Sequence, residues 1–432
     1  MLSTNLSINA EGHLCFAGRD VCELAQQYGT PLYLMDEQRI RENCRTYIRA
    51  FRDHLGGYGM PVYASKAASF CEIYRIVESE GLGIDVVSSG EIYTAVKAGF
   101  LMEKAMFHSN NKTDADIEYG ISCGVGCFVV DGQEELLRIN EIAGKHGITQ
   151  KVLLRLTPGI DPHTYEAIST GKVDSKFGTA IETGQAMPLV ALALQQPNVE
   201  LAGFHCHVGS QVFEEDVYQR TADIMVGFMA QVRDELGYTV KTLNLGGGYG
   251  VPYLESDGTV DIYARIGEVA EHIRMLSEKL DFPMPFIVME PGRSIVADAG
   301  LTVYTAGSVK RITGYKNYVS IDGGMGDNPR YALYEANYTV LSGSRATEPA
   351  DFLCDLVGRC CESGDIIQPK VMLPADTCRG DIICVCTTGA YNHSMASNYN
   401  RLPRPPIVML RDGESRVVVR RETFEDLVLR DL

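Results

Sequence analysis

The sequence lacks both a membrane-spanning segment and a secretion signal. A membrane-spanning helix needs about 20 consecutive, mostly apolar residues, and no run in the 432 residues approaches that length. The N-terminal stretch MLSTNLSINAEG has neither the basic segment nor the apolar segment of a signal peptide. These two absences predict a cytoplasmic protein with no membrane partner.

Basic residues are scarce relative to acidic ones. Lys and Arg together number 39, Asp and Glu number 56, and the net charge is −17 at pH 7. Proteins that bind nucleic acids or anionic membrane surfaces need clustered Lys and Arg to neutralise phosphate groups. The charge balance therefore argues against both classes of partner.

The sequence has no CxxC motif, although it contains 13 cysteines. Their odd number and the missing secretion signal argue against a disulfide framework. Cys384 and Cys386 form a CxC pair inside the strand-like stretch DIICVCTTG. Residues two apart on a strand point to the same face, so we expect these side chains to pack. We predict no metal site.

The middle of the chain alternates short β-rich runs with amphipathic segments such as QEELLRINEIAGKHG. Apolar residues in these segments recur at helical spacing. Strands that alternate with helices predict parallel βαβ units, and eight units in about 230 residues favour a (β/α)8 barrel over a doubly wound open sheet. The β-rich runs are 61–65, 84–88, 105–109, 127–131, 152–156, 203–208, 242–246 and 285–290.

The pattern changes after about residue 295. Short alternating runs such as LTVYTAGSV and SRVVVRR follow one another with turn residues between them. This pattern predicts a second, mostly β domain of the sandwich or barrel type. We therefore expect a barrel (35–295) and a C-terminal β domain (296–432). The pattern alone does not decide which of the two the N-terminal segment (1–34) joins, and our prediction is that it packs with the β domain.

Active sites of (β/α)8 barrels lie at the C-terminal ends of the strands, and several predicted strands end in reactive residues. The first ends at a lysine, the sixth carries two histidines, the seventh runs into a glycine loop, and the eighth ends in a carboxylate followed by an arginine. These rim residues are Lys66, Asp85, His205, His207, Ser210, Gly246, Gly247, Gly248, Glu290 and Arg293.

Each rim residue alone has an ordinary explanation. Lys66 could be solvated, although its small neighbours in YASKAAS indicate a partly dehydrated position. The histidines could bind metal or pack, but their surroundings offer no complete ligand set. Together, a lysine able to form a Schiff base, a glycine loop able to bind phosphate and a carboxylate able to hold a ring nitrogen match the requirements of pyridoxal phosphate.

Longer motifs extend from about residue 20 to 405. They are YGTPLYLMD, VYASKA, GIDVVSSGE, HTYEAISTG, DSKFG, GFHCHVGSQ, LGGGYG, EPGRSIV, DNPRYALY, CCESGD and TTGAYNHSMASNYNRLPRP. With these motifs in the family's order, the chain resembles the barrel-type pyridoxal-phosphate decarboxylases, and within them the diaminopimelate decarboxylases. Arg359 and Tyr331 stand where the family usually has proline, and neither removes a group that the reaction needs.

The resemblance implies that Lys66 holds the cofactor, that His207 stacks on its ring, and that Glu290 pairs with the ring nitrogen. His205 is left between a supporting residue and a packing residue. The implied cofactor-binding residues are Lys66, Asp85, His207, Ser210, Gly246, Gly247, Gly248, Glu290, Pro291, Gly292, Arg293 and Tyr391. The implied substrate-binding residues are Arg293, Arg330, Tyr334, Glu362 and Tyr391.

The implied reaction is the decarboxylation of meso-2,6-diaminopimelate to L-lysine and CO2, the last step of lysine synthesis. This substrate carries a distal carboxylate beside a distal ammonium. Arg330 and Arg293 can clamp the carboxylate with forked hydrogen bonds, and Glu362 can accept from the ammonium. The alternatives are decarboxylases of the same fold that act on ornithine, arginine or carboxynorspermidine, a racemase, and a non-catalytic pyridoxal-phosphate carrier.

The stretch GRCCESGD (358–365) lies in the predicted C-terminal domain. The resemblance implies a homodimer with active sites shared across the interface, in which Cys361 donates the proton in trans. Cys360 matches no functional position, so we expect it to pack. If the stretch is strand-like, the two thiols point to opposite faces.

Overall fold

The computed structural model describes residues 3–160 and 175–432. The motif HTYEAISTG and Asp174, the first residue of DSKFG, lie outside the described residues. The chain forms two compact units. One unit contains residues 43–250 and 259–292, and the other contains 1–42, 251–258 and 293–432.

Short strands and a helix open the chain. The first elements are β1 (Leu6–Ile8), β2 (Leu14–Phe16), β3 (Arg19–Asp20), α1 (Val21–Tyr28), β4 (Leu32–Asp36) and α2 (Glu37–Leu55). Strands β1, β2 and β3 form a small antiparallel sheet. Helix α1 begins where the Asp20 carboxylate accepts a hydrogen bond from the Cys22 backbone N–H, which makes Asp20 its N-cap.

Eight parallel strands of the described residues close into a barrel. They are β5 (Gly59–Ala64), β6 (Gly83–Val86), β7 (Ala105–Phe107), β8 (Cys127–Val130), β9 (Gln150–Thr157), β11 (Val199–His205), β12 (Thr242–Asn244) and β13 (Phe286–Met289), with β10 (Thr179–Ala180) added beside β9. Strand β13 pairs with β5, and β8 pairs with β9. Because the ring is closed, the predicted barrel is confirmed and the open sheet is excluded.

Amphipathic helices follow the barrel strands. They are α3 (Cys71–Ser79), α4 (Ser89–Ala98), α5 (Asp114–Ser122), α6 (Gln133–Lys145), α7 (Ala186–Leu194), α8 (Val217–Leu236) and α9 (Ile262–Lys279). In α9, Ile266, Val269, Ala270 and Ile273 are buried at helical spacing and form the packed face. No helix in the described ranges combines the length and the apolar composition needed to cross a bilayer.

The second unit is mostly β, as predicted. Its remaining elements are α10 (Arg293–Val296), β14 (Gly300–Ile312), β15 (Lys316–Ile321), α11 (Arg330–Tyr334), β16 (Val340–Ser342), β17 (Ala350–Val357), β18 (Ile366–Pro374), β19 (Ile382–Cys386), β20 (Ile407–Arg411), β21 (Glu414–Val419) and α12 (Phe424–Val428). The main sheet runs β18-β17-β15-β14-β4-β20-β21, and β19 joins β14 to β16. Cys384 and Cys386 of β19 are buried in an apolar cluster.

The boundaries of the two units differ from the predicted ones, which were placed after residues 34 and 295. Strand β4 pairs with both β14 and β20, so residues 35 and 36 lie inside the second sheet. Residues 251–258 also group with this unit. There the Tyr253 carbonyl accepts hydrogen bonds from the Thr339 N–H at 3.2 Å and from Thr339 Oγ1 at 2.8 Å. Hydrogen bonds between residues distant in sequence set these boundaries, and local patterns do not reveal them.

We expect Gly203→Ala to destabilise the barrel, because a Cβ at this position would lie 1.9 Å from the Thr242 carbonyl oxygen of the neighbouring strand. Overpacking of this kind costs about 1–3 kcal/mol. The matched control is Gly227→Ala in α8, where a Cβ meets no atom within 4 Å and helix propensity adds about 0.5–1 kcal/mol of stability. Urea unfolding of both variants measures the difference in stability. Equal midpoints would contradict the claim that the backbone at Thr242 leaves no room for a side chain at position 203.

Candidate active site

A buried carboxylate, Glu290, lies directly after β13 and is held by side chains from three other strands or strand ends. The Asn244 amide nitrogen donates to Glu290 Oε1 at 2.7 Å, and His108 Nε2 lies 2.8 Å from the same oxygen. His205 Nε2 lies 3.2 Å from Oε2. Asn244 Oδ1 accepts from the Gly246 N–H at 2.9 Å, which orients the amide NH2 toward Glu290. The arrangement is a hydrogen-bonded carboxylate, although histidines and a glutamate are also metal-ligand types.

These contacts decide the charge of Glu290. Burial by itself raises the pKa of Glu290, but its contacts with His108 and His205 outweigh burial and hold the pKa well below its usual range. Burial lowers the pKa of His205 to about 3, so this imidazole is neutral at neutral pH. Glu290 is therefore an anion held in place by Asn244, His205 and His108. His205, left open by the sequence, contacts this carboxylate directly.

Asp85 on β6 is a second buried carboxylate and lacks such donors. It is 1% exposed, and neither of its oxygens has a hydrogen-bond partner among the described residues. Burial raises the pKa of Asp85, although the charges of His108 and Lys66 partly oppose the shift. Because a buried acceptor without a donor costs free energy, this position fits a ligand that brings an N–H group. A protonated pyridine nitrogen is such a group, so the residues present fit pyridoxal phosphate.

Lys66 and His207 lie at the ends of β5 and β11. Lys66 occupies a short 3-10 turn, Ser65–Ala67, and its side chain is exposed, so it does not show the partial dehydration that its small neighbours predict. His207 Nδ1 accepts a hydrogen bond from the Gly247 N–H at 3.3 Å, which sets the orientation of the ring. Burial lowers the pKa of His207, and the positive charge of Lys66 lowers it further. His207 is therefore a neutral ring within the electrostatic influence of Lys66.

The glycine loop after β12 is required by close packing of the backbone. A Cβ at Gly247 would lie 2.0 Å from the Glu290 carbonyl oxygen, and Gly248 has a φ of +117°. The Gly246 and Gly247 N–H groups already donate within the protein. A phosphate role for this loop therefore depends mainly on Gly248. Ser210 lies half-buried after β11, where the neighbouring Val212 N–H donates to the Gly248 carbonyl at 2.9 Å.

The backbone after Glu290 also packs tightly. The Ala64 N–H donates to the Pro291 carbonyl at 3.0 Å, and a Cβ at Gly292 would lie 2.9 Å from the Ala64 Cβ. Pro291 and Gly292 are both buried. The short distance explains a glycine at position 292, and it holds the loop after β13 against the end of β5.

In the second unit, two buried arginines lie among tyrosine rings. Arg293 donates to the Tyr253 hydroxyl at 2.7 Å, and its guanidinium carbon is 4.7 Å from the centre of the Tyr391 ring. The guanidinium carbon of Arg330 lies 5.5–5.7 Å from the ring centres of Tyr253, Tyr334 and Tyr391. Tyr391 has a φ of +61°, a strained conformation for a residue of its size. The sequence-predicted residues Arg293, Arg330, Tyr334 and Tyr391 are thus brought together.

Arg330 is a buried cation with no counter-ion among the residues that the structure describes. It is 7% exposed, its Nε has no hydrogen-bond partner, and no carboxylate in the described part of the chain lies within ion-pair distance. An unpaired buried charge is costly, and aromatic faces compensate only part of the cost. A guanidinium in this state is suited to bind a carboxylate ligand with forked hydrogen bonds.

The CCESGD stretch forms a loop after β17, and the strand-like alternative is wrong. The Asp365 carboxylate organises the loop by accepting from the Cys360 N–H and the Met325 N–H, both at 2.6 Å. Cys360 is half-buried beside Asp365, and burial followed by that negative charge raises its pKa to about 11. Cys361 and Glu362 are exposed. The loop therefore separates the two thiols without the alternation of a strand.

His108, Asn244 and Tyr253 contact predicted site residues, and the sequence analysis missed all three. Asn244 is a polar residue between Leu243 and Leu245 at the end of β12, and its place between two leucines could have marked it. His108 follows β7 directly and had the same rim position as the other candidates. Tyr253 belongs to the segment 251–258, whose membership of the second unit no local pattern shows.

Comparison with known proteins decides the family. Residues 37–297 match the family described as pyridoxal-dependent decarboxylase, pyridoxal binding domain. The diaminopimelate decarboxylase of Bacillus subtilis (strain 168) is 42% identical over 424 residues, which cover 98% of this chain and 96% of that protein. The chain belongs to the diaminopimelate decarboxylase family.

Solved structures of this family share the whole fold. The M. jannaschii diaminopimelate decarboxylase, in co-complex with L-lysine, has a TM-score of 0.92 at 34% identity and covers 100% of this chain and 99% of its own. The Helicobacter pylori diaminopimelate decarboxylase, also complexed with L-lysine, has a TM-score of 0.85 at 32% identity, with 94% and 98% coverage. The family resemblance carried by the sequence motifs is therefore confirmed.

We predict that His205→Asn flattens the acid side of the stability profile. Because burial depresses the pKa of His205 from 6.5 to about 3, the unfolded chain binds a proton between these values and the folded barrel does not. The free energy of unfolding therefore falls as the pH drops below 6.5, by about 1.4 kcal/mol per pH unit for this group. Urea unfolding from pH 6.5 down to about pH 5 measures this slope.

The matched control for this prediction is His272→Asn, at a partly exposed histidine paired with Asp223. We expect the control to keep the wild-type slope. A His205→Asn protein whose slope equals that of the wild type would show that His205 is not held neutral in the folded barrel.

Proposed function

We propose that this chain decarboxylates meso-2,6-diaminopimelate to L-lysine and CO2 with pyridoxal 5'-phosphate as cofactor. Its membership of the diaminopimelate decarboxylase family supports the reaction class. The observation that carries the substrate is the buried guanidinium of Arg330, which has no counter-ion in the described residues. A distal carboxylate supplies that counter-ion, and ornithine does not have one.

The proposed cofactor residues combine a lysine, two carboxylates and a phosphate cradle. When bound, the cofactor supplies a cationic ring that accepts the electron pair left by the departing carboxylate. Glu290, kept anionic by its contacts, would hold the pyridine nitrogen in its protonated form, and Asp85, whose oxygens have no hydrogen-bond partner in the described residues, would accept a hydrogen bond at the same end of the site. The residues assigned to the cofactor are Lys66, Asp85, His207, Ser210, Gly246, Gly247, Gly248, Glu290, Pro291, Gly292, Arg293 and Tyr391.

Two further barrel residues, Lys66 and His207, are proposed to attach the cofactor and to orient its ring. We assign Lys66 to the covalent attachment of the cofactor, because its amine lies at the end of β5 and is accessible. We assign His207 to one face of the ring, since the Gly247 N–H fixes its imidazole. A neutral imidazole can stack on a cationic ring without charge repulsion.

The substrate residues recognise an amino-acid terminus. Arg330 and Arg293 bind the distal carboxylate, with Tyr334 and Tyr391 enclosing it, and Glu362 accepts from the distal ammonium. A decarboxylase for ornithine or arginine must hold only a cationic group at this end, for which two arginines are unsuitable. A racemase or a non-catalytic carrier would not need to distinguish a substrate with a distal carboxylate from one that has only a distal cationic group.

We further propose a homodimer that acts in the cytoplasm, with Cys361 of one subunit donating the proton to the reacting carbon in the other. Cys361 is exposed on an ordered loop, where its N–H donates to Asn400 Oδ1 at 2.7 Å. An exposed thiol on a fixed backbone suits delivery of a proton across an interface. Cys360 serves packing beside Asp365.

Purified protein should decarboxylate meso-diaminopimelate and show the visible absorbance of bound pyridoxal phosphate. Lys66→Ala should lose both, because no other residue replaces the covalent link, whereas Lys97→Ala, at an exposed helical lysine, should lose neither. Carbon dioxide release and absorbance spectra measure the two effects. Retention of both by Lys66→Ala would refute the lysine assignment, and faster turnover of ornithine would refute the substrate.

Arg330→Gln should lower kcat/KM for meso-diaminopimelate about 10- to 100-fold, because it removes a charge-assisted hydrogen bond worth about 1.5–3 kcal/mol. Arg359→Gln, at an exposed arginine in the same unit, is the control and should change little. Steady-state kinetics of both variants check this. Equal values for the two would indicate that Arg330 does not bind substrate.

Cys361→Ala should reduce kcat by about 10²–10⁴-fold if this thiol is the general acid. Cys360→Ala should reduce it much less, since Cys360 only packs in the loop. Single-turnover measurements of carbon dioxide release and product formation separate the two variants. Similar losses in both would show that the loop, rather than the Cys361 thiol, is what the reaction requires.

A further inference from the structure

The barrel has a cavity at the end opposite to the candidate active site. Its volume is about 360 Å3, within the roughly 300–1,000 Å3 range of small-molecule sites. Its apolar lining includes Met60, Met106, Leu153 and Phe286, which lie at or near the beginnings of four barrel strands. The proposed reaction uses none of these side chains.

Three lysines line the same cavity. Lys104 precedes β7, Lys151 lies at the beginning of β9, and Lys241 precedes β12, so the three come from separate positions around the ring. Within the described residues none of them has an ion-pair partner. Glu103 is the acidic residue of the lining, so the positive charges outnumber the negative ones. This cluster is unusual in a chain with a net charge of −17.

The backbone packs closely at one wall of the cavity. Gly126 belongs to the lining, and a Cβ there would lie 1.9 Å from the Glu103 carbonyl oxygen. Glu103 lies in the 3-10 turn Met102–Lys104 that precedes β7, so a larger residue at position 126 requires this turn to move.

One side chain links the cavity to Glu290. Met106 lines the cavity, and its sulfur lies 3.6 Å from the Asn244 amide nitrogen. The same nitrogen donates to Glu290 Oε1 at 2.7 Å. A ligand that moves Met106 would therefore change the donor geometry of the buried carboxylate.

We propose that this cavity binds a small apolar anion, such as an aromatic carboxylate or sulfonate, and that its occupancy is coupled to Glu290 through Met106 and Asn244. The apolar lining takes the ligand body, and the lysines take the charged group. The binding site stands on geometry alone. The coupling to turnover rests on the proposed decarboxylase function.

Titration of the full-length holoenzyme with 8-anilinonaphthalene-1-sulfonate tests the site by fluorescence. We expect saturable binding that meso-diaminopimelate does not displace, and at least tenfold weaker binding of the uncharged N-phenyl-1-naphthylamine. The lysine variant Lys104→Gln, Lys151→Gln, Lys241→Gln should bind the sulfonate at least tenfold more weakly. The matched control is Lys97→Gln, Lys279→Gln, Lys310→Gln, at lysines exposed elsewhere. Displacement by the substrate, or equal affinity in the two triple variants, would overturn the site.

The coupling is tested with Met106→Leu, which conserves the volume but removes the sulfur that contacts Asn244. Saturating sulfonate should change kcat at least twofold in the wild type and not in Met106→Leu, which still binds the probe. Binding without any change in wild-type kcat would overturn the coupling alone. Absence of all diaminopimelate turnover would refute the proposed function, while the fluorescence titration would still decide the site.

Discussion

The barrel contains a buried negative charge, the Glu290 carboxylate, which would be very costly in free energy without hydrogen-bond partners. Glu290 is 5% exposed, and the cost of burying an isolated carboxylate far exceeds the stability of a typical domain. His108, His205 and Asn244 come from separate strands or strand ends and meet at its two oxygens. Asn244 reaches Glu290 from the neighbouring strand β12, whereas His108 follows β7, which is not a neighbour of β13. The charge of Glu290 therefore depends on strands that are far apart in the order of the sheet.

Two other buried charges remain without such support. Asp85 in the barrel has no donor in the described residues, and Arg330 in the second unit has no counter-ion there. Both cost stability in the protein alone, and both become favourable when a ligand of opposite character binds. Buried charged groups without a partner concentrate at functional sites. Here Asp85 lies where we propose that the ring nitrogen binds, and Arg330 lies where we propose that the distal carboxylate binds.

Much of the architecture could be predicted because its physical causes are local. The eight strands of the barrel follow from β-rich runs separated by helical periodicity, and the residues after these strands fall on one rim by topology alone. Lys66, His207 and Glu290 were proposed in this way. Segment 1–34 was correctly predicted to pack with the β domain, but its boundary was placed inside β4, because long-range hydrogen bonds carry this strand on to residue 36. The sequence also left open whether Cys360 and Cys361 lie on a strand, and contacts of Asp365 make the stretch a loop.

The sequence by itself determined the fold class and the family and supplied the candidate reactive groups, because periodicity and motif spacing are properties of the chain. Only the tertiary structure decided the protonation of those groups and which of them lack partners. The neutral state of His205 and the anionic state of Glu290 result from burial and from contacts between residues far apart in sequence. The same is true of Arg330, which is buried with no counter-ion in the described ranges. A pKa depends on the dielectric and the neighbours of a group, and neither exists until the chain has folded.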